Sequence, residues 1–334
     1  MNSRRSLLRC GSASLAALAA LSLPAIAQDK LGEVSMSVVP STSAVVLFVA
    51  KEQGYFEREG LSVKITEFAS GAEAERAMVS GAVDMGGGGV GSTLLMANQG
   101  IKAKNIVLFQ KKPIFTLVAS NKLEAKAGDL KSIKGKTLGV SSPGSLTDLF
   151  LRIALRDAGL DPDRDVTIVA TGGLNSHLPA LQAGRVDAQM TWEPATVTIT
   201  KKEKAGWVLL DLRGDDVPPS LQNLLGSSLQ ATDKWLANPG NFEKAKGAAR
   251  AVAKADLAIK ANPELMLGSL KKMFSTLSQE LLMEIARVEA PSYSPVITRE
   301  AIDHMNKIYQ GAGLIKSTVD YADIVDSRLA AEWH

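Results

Sequence analysis

Short apolar segments alternate between strand spacing and helix spacing along most of this chain. Residues 33–39 alternate in hydrophobicity like a strand, and residues 44–53 follow with the spacing of a helix that stops at Gly54. The pattern predicts further strands at 61–68, 82–85, 106–110, 115–119, 137–140, 166–170, 188–191 and 223–230, and further helices at 72–79, 92–98, 146–158 and 177–183. From residue 241 onward the chain is predicted to be almost wholly helical. Strands that alternate with helices of this length predict an α/β fold with parallel sheets.

Two segments of the chain resemble each other and indicate two similar units. Residues 80–86 read SGAVDMG and residues 183–189 read AGRVDAQ, so each has a helix-stopping glycine, then Val-Asp and an apolar strand. The first segment continues into a glycine-rich run at 86–91, and the second is followed by a short stretch that reaches Trp192 and Glu193. We expect each unit to present a loop at the carboxyl end of a strand, where open α/β sheets bind ligands.

The order of the predicted elements favours two lobes with a discontinuous division. Residues 28–112 and 218–334 are expected to form the first lobe, and residues 113–217 the second, with Pro218 and Pro219 at the exit from it. The two crossing segments would then act as a hinge, and a ligand cleft is expected between the lobes.

The N-terminal segment has the pattern of a secretory signal peptide. Arg4, Arg5 and Arg9 precede an alanine- and leucine-rich run that is too short to span a membrane, and small residues precede Gln28. We expect export to the periplasm with cleavage after Ala27. The paired arginines leave both the general secretory route and the twin-arginine route open.

Charge and cysteine content exclude several classes of function for the mature chain. Segment 1–27 holds three arginines and no acidic residue, so the 38 basic and 35 acidic residues of the chain become 35 and 35. A neutral chain has no bulk charge with which to bind nucleic acid or an anionic membrane surface. The single cysteine, Cys10, leaves with the signal, which excludes disulfides, thiolate metal ligands and a cysteine nucleophile. We expect a monomer.

Hydroxyl-rich and glycine-rich loops are the candidate ligand-binding segments. Serines and threonines that precede a helix supply hydroxyl and backbone N–H donors where the helix dipole is positive, although such sequences also cap helices that bind nothing. Glycines allow the backbone to approach a ligand closely. Trp192 either covers a planar ligand or packs in the core, and Glu193 either accepts from an amine or, as we favour, holds the hinge. The candidate residues are Ser41, Thr42, Ser43, Gly89, Ser92, Ser142, Gly144, Ser145, Trp192 and Glu193.

The chain shows no pattern typical of catalysis or of a bound cofactor. The three histidines, His177, His304 and His334, are too dispersed to predict a metal site, and no nucleophile elbow or phosphate-binding loop is present. His177 is expected to be a partly exposed residue at the start of a helix. No cofactor and no metal are expected.

The chain resembles the substrate-binding proteins of ABC importers in the nitrate, sulfonate and taurine group, which includes thiamine-precursor binders. The residues that carry the resemblance are Ala50 to Leu61, reading AKEQGYFEREGL, together with Leu181 to Ala188 and the Trp192-Glu193-Pro194 segment. The likeness covers essentially the whole mature chain. It implies a type II periplasmic binding fold, in which two α/β lobes close on one small molecule and present it to a membrane permease. It also assigns ligand contacts to the loops at 41–43, 89–92 and 142–145 and to Trp192 with Glu193.

The ligand and the class of function each have an alternative. An organic anion of the sulfonate, taurine or nitrate kind suits the many neutral donors, whereas an aromatic acid or a thiamine-type pyrimidine precursor is the second candidate. The related pyrimidine synthases are enzymes, but they use a cysteine-rich segment that this mature chain lacks. A sensor domain would need a DNA-binding or transmembrane partner segment, and neither is visible.

Overall fold

A computed structural model describes residues 30–214, 217 and 219–334. The predicted signal peptide at 1–27 and Pro218 lie outside the described residues. Among the described residues, no helix is both long enough and apolar enough to cross a membrane.

The described part of the chain contains ten strands. They are β1 Gly32–Val38, β2 Leu61–Glu67, β3 Met85–Gly89, β4 Ala103–Leu108, β5 Phe115–Ser120, β6 Thr137–Val140, β7 Thr167–Ala170, β8 Ala188–Trp192, β9 Gly206–Asp211 and β10 Ser227–Thr232.

Helices follow most of the strands and make up most of the C-terminal third. They are α1 Val45–Glu52, α2 Tyr55–Arg58, α3 Gly71–Ser80, α4 Val90–Asn98, α5 Leu146–Asp157, α6 Leu174–Gln182, α7 Ala195–Val197, α8 Asp233–Leu236, α9 Pro239–Ala261, α10 Leu267–Met273, α11 Gln279–Glu289, α12 Arg299–Gly311 and α13 Tyr321–Ile324.

The strands form two five-stranded sheets, with the orders β2-β1-β3-β10-β4 and β7-β6-β8-β5-β9. The first sheet therefore combines four early strands with the late strand β10, and the second contains β5 to β9. This membership follows the same discontinuous order as the predicted division into lobes, whose exact limits stay a prediction.

Both sheets are mixed, so the prediction of parallel sheets was wrong for two of the strands. β1 pairs in parallel with β2 and β3, and β6 pairs in parallel with β7 and β8. β10 is antiparallel to β3 and β4, and β5 is antiparallel to β8 and β9. These two strands enter their sheets directly from the other sheet, without the helical crossover that a parallel neighbour requires.

The glycine run forms the body of a central strand, whereas the sequence predicted a strand that ends before it. β3 covers Met85–Gly89 and lies between β1 and β10, and α4 begins at the next residue. A Cβ at Gly87 would lie 3.3 Å from the Ser37 carbonyl oxygen, and a Cβ at Gly89 would overlap the Leu146 side chain. Glycine is required here because neighbouring atoms occupy the space of a side chain.

The two similar segments end their helices in the same way. Gly81 follows α3 with a φ of 81°, and Gly184 follows α6 with a φ of 68°. These left-handed conformations cost glycine little, which explains the glycine in both copies.

The aspartates of the two segments also have matching roles. The Oδ2 atom of Asp84 accepts from the Ser35 backbone N–H at 2.8 Å and from the Ser35 hydroxyl at 2.7 Å. The Oδ2 atom of Asp187 accepts from the Thr137 N–H at 2.9 Å, and its own N–H donates to the Thr137 carbonyl at 2.7 Å. Each aspartate therefore ties its segment to the neighbouring parallel strand.

Replacing these aspartates tests the scaffold role. Asp84 also accepts from the Trp235 indole N–H at 2.9 Å, so Asp84→Ala leaves three donors without their partner. We expect Asp84→Ala to lower the free energy of unfolding by about 3 kcal/mol. Asp187→Ala removes the acceptor of the Thr137 N–H alone, and we expect it to lower the free energy of unfolding by about 1 kcal/mol. Urea denaturation at pH 7 measures both values, and an equal or reversed loss would contradict the assignment.

Candidate ligand-binding site

A cavity of about 60 Å³ is lined by residues at the carboxyl ends of β1, β3, β6 and β8. Residues from both sheets and their helices contribute to it, as expected for a site between lobes. Its apolar wall consists of Val38, Val39, Ala44, Phe109, Ile114, Phe115, Leu146 and Trp192. Its polar lining consists of Ser41, Ser43, Glu75, Ser141, Ser145, Thr147 and Ser227.

The structure brings half of the predicted site residues to this cavity. The residues that line it are Ser41, Ser43, Gly89, Ser145 and Trp192. The predicted residues outside its lining are Thr42, Ser92, Ser142, Gly144 and Glu193.

The first loop holds its hydroxyls in a local network. The Ser41 hydroxyl donates to the Val39 carbonyl at 3.0 Å and lies 2.9 Å from the Ser43 hydroxyl. The helix starts one residue later than predicted, so Ala44, rather than Thr42 or Ser43, occupies the N-cap position. The Ser41 hydroxyl nevertheless accepts from the Ala44 N–H at 3.3 Å, so it still pairs with a backbone donor just before α1.

The second loop forms a cluster of three hydroxyls at the N-terminus of α5. The hydroxyl oxygens of Ser141, Ser145 and Thr147 lie 2.8–2.9 Å from one another. Gly144 has a φ of 74°, and its N–H donates to Asp148 at 2.8 Å, so this glycine shapes the turn. The sequence did not single out Ser141 and Thr147 as candidates, although both lie beside the predicted serines.

Trp192 packs in the core and also lines the cavity, so ligand contact stays a prediction. Its indole is buried among aromatic rings, edge-on to His177 at 5.2 Å and to Phe115 at 6.1 Å between ring centroids. Its Nε1–H donates to the Pro40 carbonyl at 2.9 Å, which links β8 of the second sheet to the loop after β1 of the first.

Glu193 points into a cluster of charged groups outside the cavity lining. Its carboxylate accepts from the Arg213 guanidinium at 2.6 Å and from the Val197 N–H at 3.0 Å. Burial raises the pKa of Glu193, while the Arg213 charge acts to lower it. Arg213 also contacts Asp211 at 2.8 Å and lies 3.9 Å from Glu289 of α11. The approach to Glu289 brings this cluster beside a helix of the C-terminal segment, and the hinge role of Glu193 stays a prediction.

His177 is fully buried, so the prediction of a partly exposed residue was wrong. The helix begins three residues earlier than predicted and carries the imidazole inward against β8. The Nδ1 atom lies 2.8 Å from the Thr191 hydroxyl and Nε2 lies 3.1 Å from the Gly172 carbonyl. A carbonyl only accepts, so Nε2 carries the proton. Burial lowers the pKa of His177 to about 4, and the ring is neutral at pH 7.

Glu75 lines the cavity and was missed by the sequence interpretation. It projects from α3, and its carboxyl accepts hydrogen bonds from the Ser92 hydroxyl and the Gly89 N–H. Burial raises its pKa to about 7 against these hydrogen bonds and the charge of Arg76. Ser92, a predicted ligand residue, therefore holds Glu75. A usable signal was present, because Glu75 lies next to Ala74 and one turn before Met78, on the buried side of the helix.

No arrangement typical of a metal centre occurs in the described ranges. Within residues 30–214, 217 and 219–334, no group of three or more His, Cys, Asp and Glu side chains is placed to hold a metal ion.

Comparison with known sequences identifies similar binding proteins. Residues 27–260 match the model of the NMT1-like family. A proposed binding protein of Brucella abortus (strain 2308) is 30% identical over 172 residues, which are 51% of this chain and 50% of that protein. This chain therefore spans about half the length of that relative. The taurine-binding periplasmic protein of Escherichia coli (strain K12) is 30% identical over 246 residues, 67% of this chain and 72% of that protein.

Solved structures share the fold over almost the whole chain. A protein from Bordetella bronchiseptica RB50 has a TM-score of 0.79 at 23% identity and covers 90% of this chain and 96% of its own. The alkanesulfonate-binding protein of Xanthomonas axonopodis pv. citri has a TM-score of 0.71 at 19% identity, with 88% and 98% covered. The predicted resemblance to importer binding proteins and the predicted α/β binding-protein fold are thereby confirmed.

The burial of His177 predicts an acid-sensitive stability. The unfolded chain takes up a proton on this ring near pH 6.5, whereas the folded chain does so only near pH 4. Lowering the pH from 7.5 to 5 therefore favours the unfolded state, by about 2 kcal/mol from this residue. We expect His177→Gln to flatten the pH dependence of the urea unfolding free energy by that amount. An unaltered pH dependence in His177→Gln would exclude a neutral buried imidazole.

Proposed function

Because this chain belongs to the NMT1-like family, we propose that it is the solute-binding component of an ABC importer. In this proposal it captures a small organic anion of the sulfonate, taurine or nitrate kind between its lobes and delivers it to a membrane permease. It acts in the periplasm after removal of residues 1–27, as a monomer, and binds its solute without turnover.

The observation that carries the proposal is a cavity to which both sheets contribute. Ser41 and Ser43 follow β1 of the first sheet, whereas Ser145 follows β6 of the second. A solute that contacts both sets of hydroxyls stabilises only the closed arrangement, so binding shifts a two-state hinge equilibrium toward closure. A permease can then distinguish the loaded form from the empty form by its shape.

An anionic group is supported by the donors at the second loop. The hydroxyls of Ser141, Ser145 and Thr147 gather at the N-terminus of the 12-residue helix α5. Backbone N–H groups in the first turn and the helix dipole favour negative charge at that point. We propose that the anionic group of the solute binds there.

A planar solute is the second candidate, and the aromatic side of the cavity supports it. Phe109, Phe115 and Trp192 all belong to the lining. Aromatic faces and edges of this kind contact flat rings well. We therefore retain an aromatic acid or a thiamine-type pyrimidine precursor as the alternative solute.

A thermal-shift series tests binding of small solutes. Residues 28–334 are heated with alkanesulfonates, taurine, nitrate, aromatic carboxylates and aminopyrimidines. A solute at 100 times its Kd adds about 2.7 kcal/mol to the free energy of unfolding, which raises the melting temperature by several degrees. We expect at least one sulfonate to do so. A well-folded sample that none of these compounds stabilises would contradict the importer proposal.

A pair of serine variants tests the location of the site. Ser145 lines the cavity and Ser142, three residues earlier in the same loop, does not. We expect Ser145→Ala to weaken solute binding about tenfold, equivalent to about 1.4 kcal/mol, and Ser142→Ala to change it little. Isothermal titration calorimetry measures both. Trp192→Ala separates the solute classes, because a larger loss there than in Ser145→Ala favours a planar ring.

A further inference from the structure

Glu75 is the one charged side chain among the described residues that line the cavity. The remaining lining consists of hydroxyls, glycines and apolar side chains. A purely anionic solute would therefore find no lysine, arginine or histidine there to balance its charge, and would share the cavity with a carboxyl group.

The position of the Glu75 carboxyl is defined by contacts from the first lobe. The Ser92 hydroxyl and the Gly89 N–H both donate to it. Its Oε1 atom lies 2.8 Å from the position that a Cβ at Gly88 would take, which places it directly against the glycine strand β3. Beyond these two groups, the carboxyl has acceptor capacity for a further donor.

A second acceptor lies beside the same point of the strand. Gln230 Oε1 is also 2.8 Å from the Cβ position of Gly88, and within the described residues it is buried without a hydrogen-bond donor. The amide orientation is defined, because Gln230 Nε2 donates to the Gly89 carbonyl at 2.8 Å. This end of the site is therefore rich in acceptors, whereas the Ser141–Ser145–Thr147 end is rich in hydroxyls.

Few positively charged groups lie near the Glu75 carboxyl to balance its negative charge. Arg76 on the same helix acts to lower its pKa, while burial raises it to about 7. The Tyr309 hydroxyl of α12 lies against Gly91 of α4, and burial together with the Glu75 charge raises the pKa of this tyrosine. A cationic group of a solute would thus meet a carboxylate with little competing positive charge and form a charge-assisted hydrogen bond.

We propose that Glu75 selects solutes that carry an amino group, so that the solute is a short zwitterion. Its ammonium contacts the Glu75 carboxylate, and its anionic group contacts the hydroxyls of Ser141, Ser145 and Thr147. The apolar wall accommodates the carbon atoms between them. This inference rests on the proposed solute-binding function and narrows its ligand class from organic anions to amino-substituted ones.

Ionisation of Glu75 then controls affinity. The ammonium requires a carboxylate, and a group with a pKa near 7 is ionised about one part in ten at pH 6 and about nine parts in ten at pH 8. Affinity for an amino-substituted solute should therefore rise about tenfold between pH 6 and pH 8. Affinity for the matching solute without the amino group should fall or stay constant.

Matched solute pairs test the inference by isothermal titration calorimetry. Taurine is compared with ethanesulfonate, and β-alanine with propionate, at pH 6 and pH 8 on residues 28–334. We expect at least one amino-substituted member to bind ten times more tightly than its partner at pH 8. Glu75→Gln should abolish that preference and its pH dependence, whereas Glu73→Gln, an exposed glutamate on the same helix, should retain both.

The other outcomes separate this inference from the proposed function. Ethanesulfonate binding as tightly as taurine, or a preference that survives Glu75→Gln, would overturn the role of Glu75 and leave solute binding standing. Taurine or β-alanine binding that is no tighter at pH 8 than at pH 6 would also overturn the inference. Failure of all four solutes to bind a sample that another compound of the thermal-shift series stabilises would overturn this inference alone, whereas failure of the whole series would contradict the proposed function. If Glu75→Gln does not fold, the titrations of the unaltered protein at pH 6 and pH 8 test whether affinity for the amino-substituted solute rises about tenfold.

Discussion

The absence of side chains on β3 is the constraint on which the rest of the structure depends. Four consecutive glycines form most of this central strand, and their missing Cβ positions are occupied by neighbours on several sides. Ser37 of β1 lies 3.0 Å from the Cβ position of Gly86, Glu75 and Gln230 approach Gly88, and Leu146 of the second lobe fills the space at Gly89. Larger residues would separate these groups, because a close-packed interior does not absorb added volume. The strand therefore sets both the closeness of the lobes and the position of the acidic side chain.

The two glutamates near the cleft, Glu75 and Glu193, differ in their partners. Glu193 is paired with Arg213, which also contacts Asp211. The negative charge of Glu193 is therefore balanced by a neighbouring guanidinium. Glu75 has hydrogen bonds from a hydroxyl and a backbone N–H and no arginine or lysine in the cavity lining. A buried carboxylate is costly without a compensating charge. Glu193 therefore has its charge balanced within the protein, whereas the cavity lining offers Glu75 no such partner.

Local sequence signals predicted the elements and the repeated scaffold well. The helix-stopping glycines at 81 and 184 and the aspartates at 84 and 187 have matching geometry in both units. The predicted loops at 41–43 and 142–145 reach the cavity through Ser41, Ser43 and Ser145, because loops at the carboxyl ends of strands meet at one edge of a sheet. By contrast, the antiparallel direction of β5 and β10 could not be read from hydrophobic periodicity, which is the same for either direction.

The sequence by itself determined the α/β class, the similar units, the candidate loops and the likeness to importer binding proteins. These depend on periodicity, glycine conformation and short motifs, all of which act over a few neighbouring residues. Only the tertiary structure decided that His177 is buried and neutral, that Glu193 faces Arg213, and that Glu75 lines the cavity. The environment of a titratable side chain is set by residues distant in the chain. Arg213 is 20 residues from Glu193, and the Glu75 carboxyl is held by Gly89 and Ser92 of another element.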